Sequence, residues 1–359
     1  MATSPKRSSP RKSNIGRERS ARSIEPSSRP LLVRPEARYT CFGDGLCCTD
    51  IHALGPLTPK ERREVELIEP GRLVRNKDFN AHVFRTGKDG ACVLRSKRGC
   101  ELHAQHGAEA KPDGCSRFPY GLIATPEGGR ITTEHRCPCR SMGDRPPISE
   151  HDAQSSLSDR GGKLVANGRV GGRVRISAKK NQSFAQFRAQ EQRMIEGLLT
   201  GHDPEEVFGV APFGRLKGEK FTDVAKACLE EADDTGYGSA MRWFGNALLS
   251  CLDGRPLPVT ARPWSGYFDK AEARPGTRSA EAVVADYLAD VLWSLDWYFS
   301  VGSFQGARRE LSSLHAVAAR IAKRLVRAKV RPDRAGAEAV MVVELARQSG
   351  AWERVQDAL

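Results

Sequence analysis

The chain contains no run of about eighteen apolar residues, the length a helix needs to cross a bilayer. Its richest stretch, AEAVVADYLADVLWSLDWYFSVG, is interrupted by Asp286, Asp290 and Asp296, so no membrane partner is expected. The basic N-terminal residues are not followed by the apolar segment of a secretory signal. A cytoplasmic address is therefore expected, with an Arg- and Ser-rich transit peptide as the lesser alternative. Neither G-x-G-x-x-G nor a Walker pattern occurs, so the glycines of GKLVANGRVGGRVRISAKK read as turns and not as a phosphate cradle.

What the chain does have is positive charge, a formal net +13, and the charge is unevenly placed. Residues 1–35 carry Lys6, Arg7, Arg11, Lys12, Arg17, Arg19, Arg22, Arg29 and Arg34 against only Glu18 and Glu25, more than half of the excess. That segment has almost no large apolar side chains and cannot bury enough surface to offset its ordering entropy. A disordered basic tail over 1–35 is expected. Arg320, Lys323, Arg324 and Arg327 form a second basic stripe on a helical pattern. No aromatics interleave it, so a solvated face is expected in preference to a nucleic-acid contact.

A length of 359 residues suggests two ordered domains beside the tail. Residues 36–145 are turn-rich, with one clear helix over 59–69: Thr58 and Glu61 have capping-box spacing and Pro59 stands at the first helical position. AHVFRTGKDGACVL reads as one hairpin around Gly87 to Gly90, and YGLIATPEGGRITTEH as another turning at Glu127 to Gly129. Residues 146–182 read as a linker and a hairpin. From 183 to 359 apolar residues recur at helical spacing, as at Val284, Leu288, Val291, Leu295 and Tyr298, or Leu311, Leu314, Ala318, Ile321 and Leu325, which predicts a helical bundle. The expected class is α+β: a small cysteine-rich domain stapled by metal, then an α-helical domain.

Eight of the ten cysteines, Cys41, Cys47, Cys48, Cys92, Cys100, Cys115, Cys137 and Cys139, fall between positions 41 and 139. Cys228 and Cys251 lie in amphipathic helical patterns and read as small buried hydrophobes. In a reducing compartment clustered thiols point to metal binding or redox work in preference to disulfides. Thiolates at tetrahedral corners, carried on glycine-containing loops, are what zinc and iron–sulfur sites require. Eight sulfurs suffice for two four-thiolate sites or for one cluster with spare thiols. Cys47 and Cys48, adjacent in a loop, are expected to point apart and not to share one ion. His103, three residues after Cys100, is a candidate imidazole ligand, ahead of His52, His106 and His135. A thiol switch at Cys47–Cys48 or Cys137–Cys139 is the competing use.

The ordered series Cys41, Cys47, Cys48, Cys92, Cys100, Cys115, Phe118, Pro119 and Cys137 resembles the YkgJ-type zinc- or iron-chelating cysteine-cluster proteins over about 100 residues. Asp44 stands where many members carry a further cysteine, so the resemblance implies either one ligand fewer or its replacement by Cys139. The resemblance implies bound zinc, iron or an iron–sulfur cluster in a structural or redox role. The helical part, with VVADYLADVLWSLDWYFSVGSF, is also similar to the flagellin lysine-N-methylase branch, which implies the alternative of methyl transfer from S-adenosylmethionine to lysines of a protein substrate. That alternative lacks both a dinucleotide-type glycine loop and the C-x-x-x-C-x-x-C triplet of radical enzymes that use this cofactor.

Overall fold

A computed structural model describes residues 25–359 except 53, 78–79, 98, 160, 258, 260–261 and 272–275. The cysteine-bearing part runs through β1 (Leu31–Leu32), α1 (Pro59–Ile68), β2 (Leu73–Asn76), β3 (Ala81–Phe84), β4 (Arg95–Ser96), β5 (Gly99–Cys100), α2 (Glu101–His106) and α3 (Asp113–Arg117). There follow β6 (Tyr120–Thr125), β7 (Gly128–Thr133), α4 (Pro138–Ser141), α5 (Glu150–Leu157), β8 (Gly168–Arg169), β9 (Arg173–Ser177) and β10 (Lys180–Ser183). The helical part comprises α6 (Phe184–Leu199), α7 (Pro204–Phe208), α8 (Phe221–Glu230), α9 (Gly236–Asp253), α10 (Ser265–Ala271), α11 (Ala280–Ser294), α12 (Asp296–Ser300), α13 (Phe304–Arg327), α14 (Pro332–Arg347) and α15 (Gly350–Ala358). The class is α+β, with helices dominating the C-terminal part. Among the described residues no helix is long and apolar enough to cross a membrane.

Local signals worked where the stabilising partners are close in sequence. Thr58 and Glu61 close the capping box of α1 as expected, the Glu61 carboxylate accepting the Thr58 N–H at 2.7 Å. The β6–β7 hairpin forms in register from Tyr120 opposite Thr133 to Thr125 opposite Gly128. The other expected hairpin forms only as a short turn, its first strand pairing mainly elsewhere. Strand β3 pairs with β2, Val83 opposite Val74, and the Gly87–Gly90 turn is closed by a short bridge between Thr86 and Cys92 flanked by the Gly87 N–H to Ala91 O and Val93 N–H to Arg85 O bonds. Cross-strand apolar pairing with the preceding segment is the stronger contact.

The expected tail also ends earlier than read. Residues 1–24 lie outside the described residues, but β1 adds in parallel to β7 in a four-stranded sheet of order β1-β7-β6-β8. Leu31 is buried there against Leu122 and Ile131, and Arg34 is 1% exposed. An Arg- and Pro-rich composition hid this short segment because its order comes from partners far along the chain. The stretch expected as linker likewise holds α5 and β8, the latter pairing with β6, while β9 and β10 supply the expected hairpin.

Helix α11 forms the middle of the helical part, packed on α6, α13, α14 and β7. It is buried around its whole circumference rather than along the single apolar face its periodicity suggests. At Leu295 the backbone turns left-handed, φ 58°, and separates α11 from α12, where one continuous helix was expected. Helix α14, buried from Asp333 to Arg347, lies in the stretch expected to be helical but has no individual signature in the sequence. Its buried face includes the charged Asp333, Arg334, Glu338, Glu344 and Arg347, so no apolar stripe against a polar face marks it in the sequence. Leu46 and Ile51 of the first cysteine loop and Met142 after α4 belong to the same core as these helices. On the expected basic stripe, Lys323 and Arg327 are exposed, while Arg320 donates to Ser250 Oγ at 3.0 Å.

Candidate metal centre

The CFGDGLCC loop curls because Gly43 and Gly45 both take left-handed φ, 71° and 82°. At Gly45 a Cβ would also stand 2.7 Å from Arg95 Nε. The curl turns Asp44 inward. Its Oδ1 accepts the Leu46 N–H at 2.8 Å, and its Oδ2 accepts the Cys139 thiol at 3.0 Å. Cys137 and Cys139 arrive on α4, which starts at Pro138. The donor atoms of Asp44, Cys137 and Cys139 lie within 4.8 Å of one another and all three residues are buried. Cys41 completes the edge: its Sγ accepts the Gly43 N–H at 3.4 Å, and Phe42 donates its N–H to Cys139 Sγ at 3.3 Å.

These groups crowd their protons. A hydrogen bond to Cys139, then burial, pushes the Cys41 thiol far up. A hydrogen bond to Cys137 and then burial does the same to Cys139, although its bond with Cys41 pulls the other way. Cys137 gains from its bond with Cys139, but burial and the Asp44 charge outweigh this and raise it. Cys47 is raised by its bond to Cys48, by burial and by the charges of Asp44 and Cys41. Thiols gathered in a buried place beside one another favour their protonated forms. A divalent ion would reverse that balance, as a thiol coordinated to metal gives up its proton. The Cys139 proton directed at Asp44 marks where such a charge fits.

Cys47 and Cys48 do not point apart as expected. They share one 3₁₀ turn, Leu46–Cys48, and their sulfurs are 4.0 Å from each other. Cys48 is lowered to about 7 by the Cys47 hydrogen bond, against burial, with help from the charges of Lys111 and Arg95. Cys92, Cys100 and Cys115 stand apart from the Asp44 group, packed on a cluster of Leu54, Leu57, Val65, Phe84, Leu94 and Leu102. Burial and the charges of neighbouring cysteines lift Cys92 to about 11 and Cys115 to about 12. Cys228 is fully buried in α8 and Cys251 half-buried in α9, as hydrophobes. Sequence reasoning missed Asp44 as a donor. The signal in the sequence was its place between Gly43 and Gly45 in the cysteine loop.

Among the described residues no histidine joins the gathered donors. His103 is exposed on α2, and His106 faces Glu69 at 3.8 Å. His52 is buried against the Phe118 ring, its basicity lowered by burial and the Arg136 charge. His135 contacts Asp290 Oδ2 through Nε2 at 2.8 Å and Ser141 Oγ through Nδ1 at 3.1 Å. The order Asp–His–Ser matches a hydrolase triad, but Ser141 is fully buried and Asp290 is already occupied by cations, so the set serves structure.

Those cations were also missed, and they anchor α4. Asp286 and Asp290, one turn apart on α11, receive Arg34 from before the cysteine loop and Arg140 from α4. Arg140 reaches Asp286 at 2.8 Å, Asp290 at 2.6 Å and Thr133 Oγ1 at 2.7 Å. Arg278 adds a contact to Asp286 at 3.0 Å. Burial alone would raise both carboxyls, yet Arg140 and Arg34 hold them below the usual range. Because Arg140 follows Cys139 directly, the helix that offers sulfur on one side is bolted to the bundle on the other. Beside this network is a polar cavity of about 140 Å³, lined among others by Glu134, Asp290, Asp296, Glu344 and Arg347.

Searches of protein-family models, of curated proteins and of solved structures find no match to the chain.

Proposed function

We propose that this chain is a metal-binding protein of the YkgJ type that its cysteine order resembles. Asp44, Cys137 and Cys139 hold the ion and Cys41 closes the rim. The observation that carries this reading is the buried convergence of one carboxylate and two thiols within 4.8 Å. Sulfur with one oxygen suits zinc or iron better than magnesium or calcium, which take oxygen alone. Once bound, the ion supplies the positive charge that lets the thiols stay ionised in a buried place.

The chain's own residues do the rest. Phe42 N–H and Leu46 N–H orient Cys139 and Asp44, and Arg140 fixes α4 against α11. The ion then ties the first cysteine loop to the helical core, a structural staple of the kind small cysteine-rich units need. Elemental analysis of protein made and handled without air tests this, followed by chelation monitored by circular dichroism and urea unfolding. Bound zinc or iron, and a lower unfolding midpoint after chelation, are expected. Metal-free protein from the preparation made without air, or a midpoint unmoved by chelation, overturns it.

A further inference from the structure

The polar cavity beside the arginine network lies between a stripe of α11, carrying Asp290, Val291 and Ser294, and a stripe of α14, carrying Glu344, Arg347 and Gln348. Asp290, Ser294, Glu344 and Arg347 are each no more than 7% exposed, while Asp296 and Gln348 stand exposed at the mouth. Most charges of this lining are met within the protein. Asp290 receives Arg34 and Arg140, Glu134 pairs with Arg136, and Arg347 pairs with Glu310 at 3.2 Å. Two carboxylates are not met. Glu344 Oε2 accepts the Arg136 N–H at 2.5 Å, but its other oxygen has no partner among the described residues, and no cation there makes an ion pair with Glu344 or Asp296. Leaving a buried carboxylate unpaired is costly, and burial with the Glu134 charge raises Glu344 to about 8. Tyr287, one turn before Asp290 and Val291 on the same stripe of α11, is fully buried, and among the described residues its hydroxyl has no hydrogen-bond partner either. Beside the mouth Phe299, three residues after Asp296, is 51% exposed, and its ring lies over Gly168, next to the lining residue Asn167.

We propose that this cavity binds a short aliphatic diamine, one ammonium on Glu344 at the floor and the other on Asp296 at the mouth. Size, charge and surface each select that class. A volume of about 140 Å³ suits a ligand of about six heavy atoms, as benzene fits a cavity of about 150 Å³. The two carboxylates without cations call for two positive charges. Among the described residues no three metal-ligating groups gather here as Asp44, Cys137 and Cys139 do, so two separated ammoniums suit the lining better than one metal ion. Val291 and Ile123, also in the lining, offer apolar surface to a methylene stem. The exposed face of Phe299 can receive the outer ammonium by cation–π attraction. The site is independent of any ion at Asp44, and nothing is oxidised or reduced on binding.

The test is calorimetric titration of the full chain, as purified and at fixed ionic strength, with putrescine. The comparison ligands are n-butylamine, which has one charge, the terminal diol of the same length, which has none, and magnesium chloride. Saturable one-to-one binding of putrescine is expected, weaker by about tenfold or more for n-butylamine, absent for the diol and not displaced by magnesium. Glu344→Gln and Asp296→Asn should each weaken putrescine by about tenfold or more, while Glu281→Gln, at an exposed position in the first turn of α11, leaves it unchanged. Circular dichroism identifies a Glu344→Gln chain that fails to fold, and Asp296→Asn at the exposed mouth then decides with the ligand series. No saturable heat with putrescine up to about 10 mM overturns the proposal. So does equal binding of n-butylamine or the diol, displacement by magnesium, or folded variants that bind putrescine as the wild type does.

Discussion

Replacing Arg140 with methionine keeps the stem's bulk and removes the guanidinium. The change leaves Asp286 and Asp290 buried with Arg34 and, for Asp286, Arg278 as remaining cations. Thr133 Oγ1 loses a donor at 2.7 Å and each carboxylate loses a short contact, 2.8 and 2.6 Å. Breaking a buried ion pair from one side costs ~3–5 kcal/mol, and because Arg34 still reaches both carboxylates the expected loss is about 3 kcal/mol. It would be read as a lower urea midpoint at unchanged slope. The same residue sets an acid limit. Both carboxyls are held below the unfolded range of about 3.9, so their contribution is complete above that pH and is lost as pH falls through the folded values. With Arg140 gone those values rise, and acid unfolding should begin at a higher pH than in the wild type. Zinc content should fall too, since α4 carries Cys139. A loss below about 1 kcal/mol with an unmoved acid midpoint would show that Arg34 and Arg278 neutralise the pair unaided, and would sink the argument that Arg140 bolts α4 in place.

Asp44→Asn keeps the shape and removes the charge: metal content after dialysis against a weak chelator should drop while far-ultraviolet circular dichroism stays near wild type. Glu344 is raised to about 8 by burial and by Glu134, against the pull of Arg136 and Arg347. An acid raised in the fold holds a proton that the unfolded chain releases, so stability should decline between about pH 4.5 and about 8, and Glu344→Gln should flatten that slope in urea unfolding measured across the range. Gly45→Ala places a Cβ 2.7 Å from Arg95 Nε at a left-handed φ of 82°. It should cost ~1–2 kcal/mol in urea unfolding and loosen the loop that presents Asp44, lowering zinc retention. Cys228→Ala, in the core of α8, should cost ~1 kcal/mol and leave zinc content unchanged, the control that separates packing thiols from ligands.

What could be read in advance depended on how far apart the partners are. The α1 cap rests on residues three positions apart and the β6–β7 hairpin on a tight turn closed between Thr125 and Gly128, and their residue types announce them. The eight clustered thiols announced a site by type and number, though not which of them meet. Asp44 and Cys139 are 95 residues apart, and only the folded loop shows that a carboxylate completes the sulfur group. The aspartates of α11 make the same point in reverse. As sequence they interrupt an apolar run. In the fold they are buried because Arg34, 256 residues from Asp290, and Arg140, 150 residues away, meet them. A buried carboxylate without such cations would be expelled or protonated, so the helix can be central only if both arginines are delivered to it. One of them comes from the segment whose composition reads as tail, and the other from the residue after Cys139. The charge that allows α11 to lie at the centre of the fold is thus carried by the elements that position the metal donors. Loosening the cysteine loop and unpairing the core should accordingly be one event and not two.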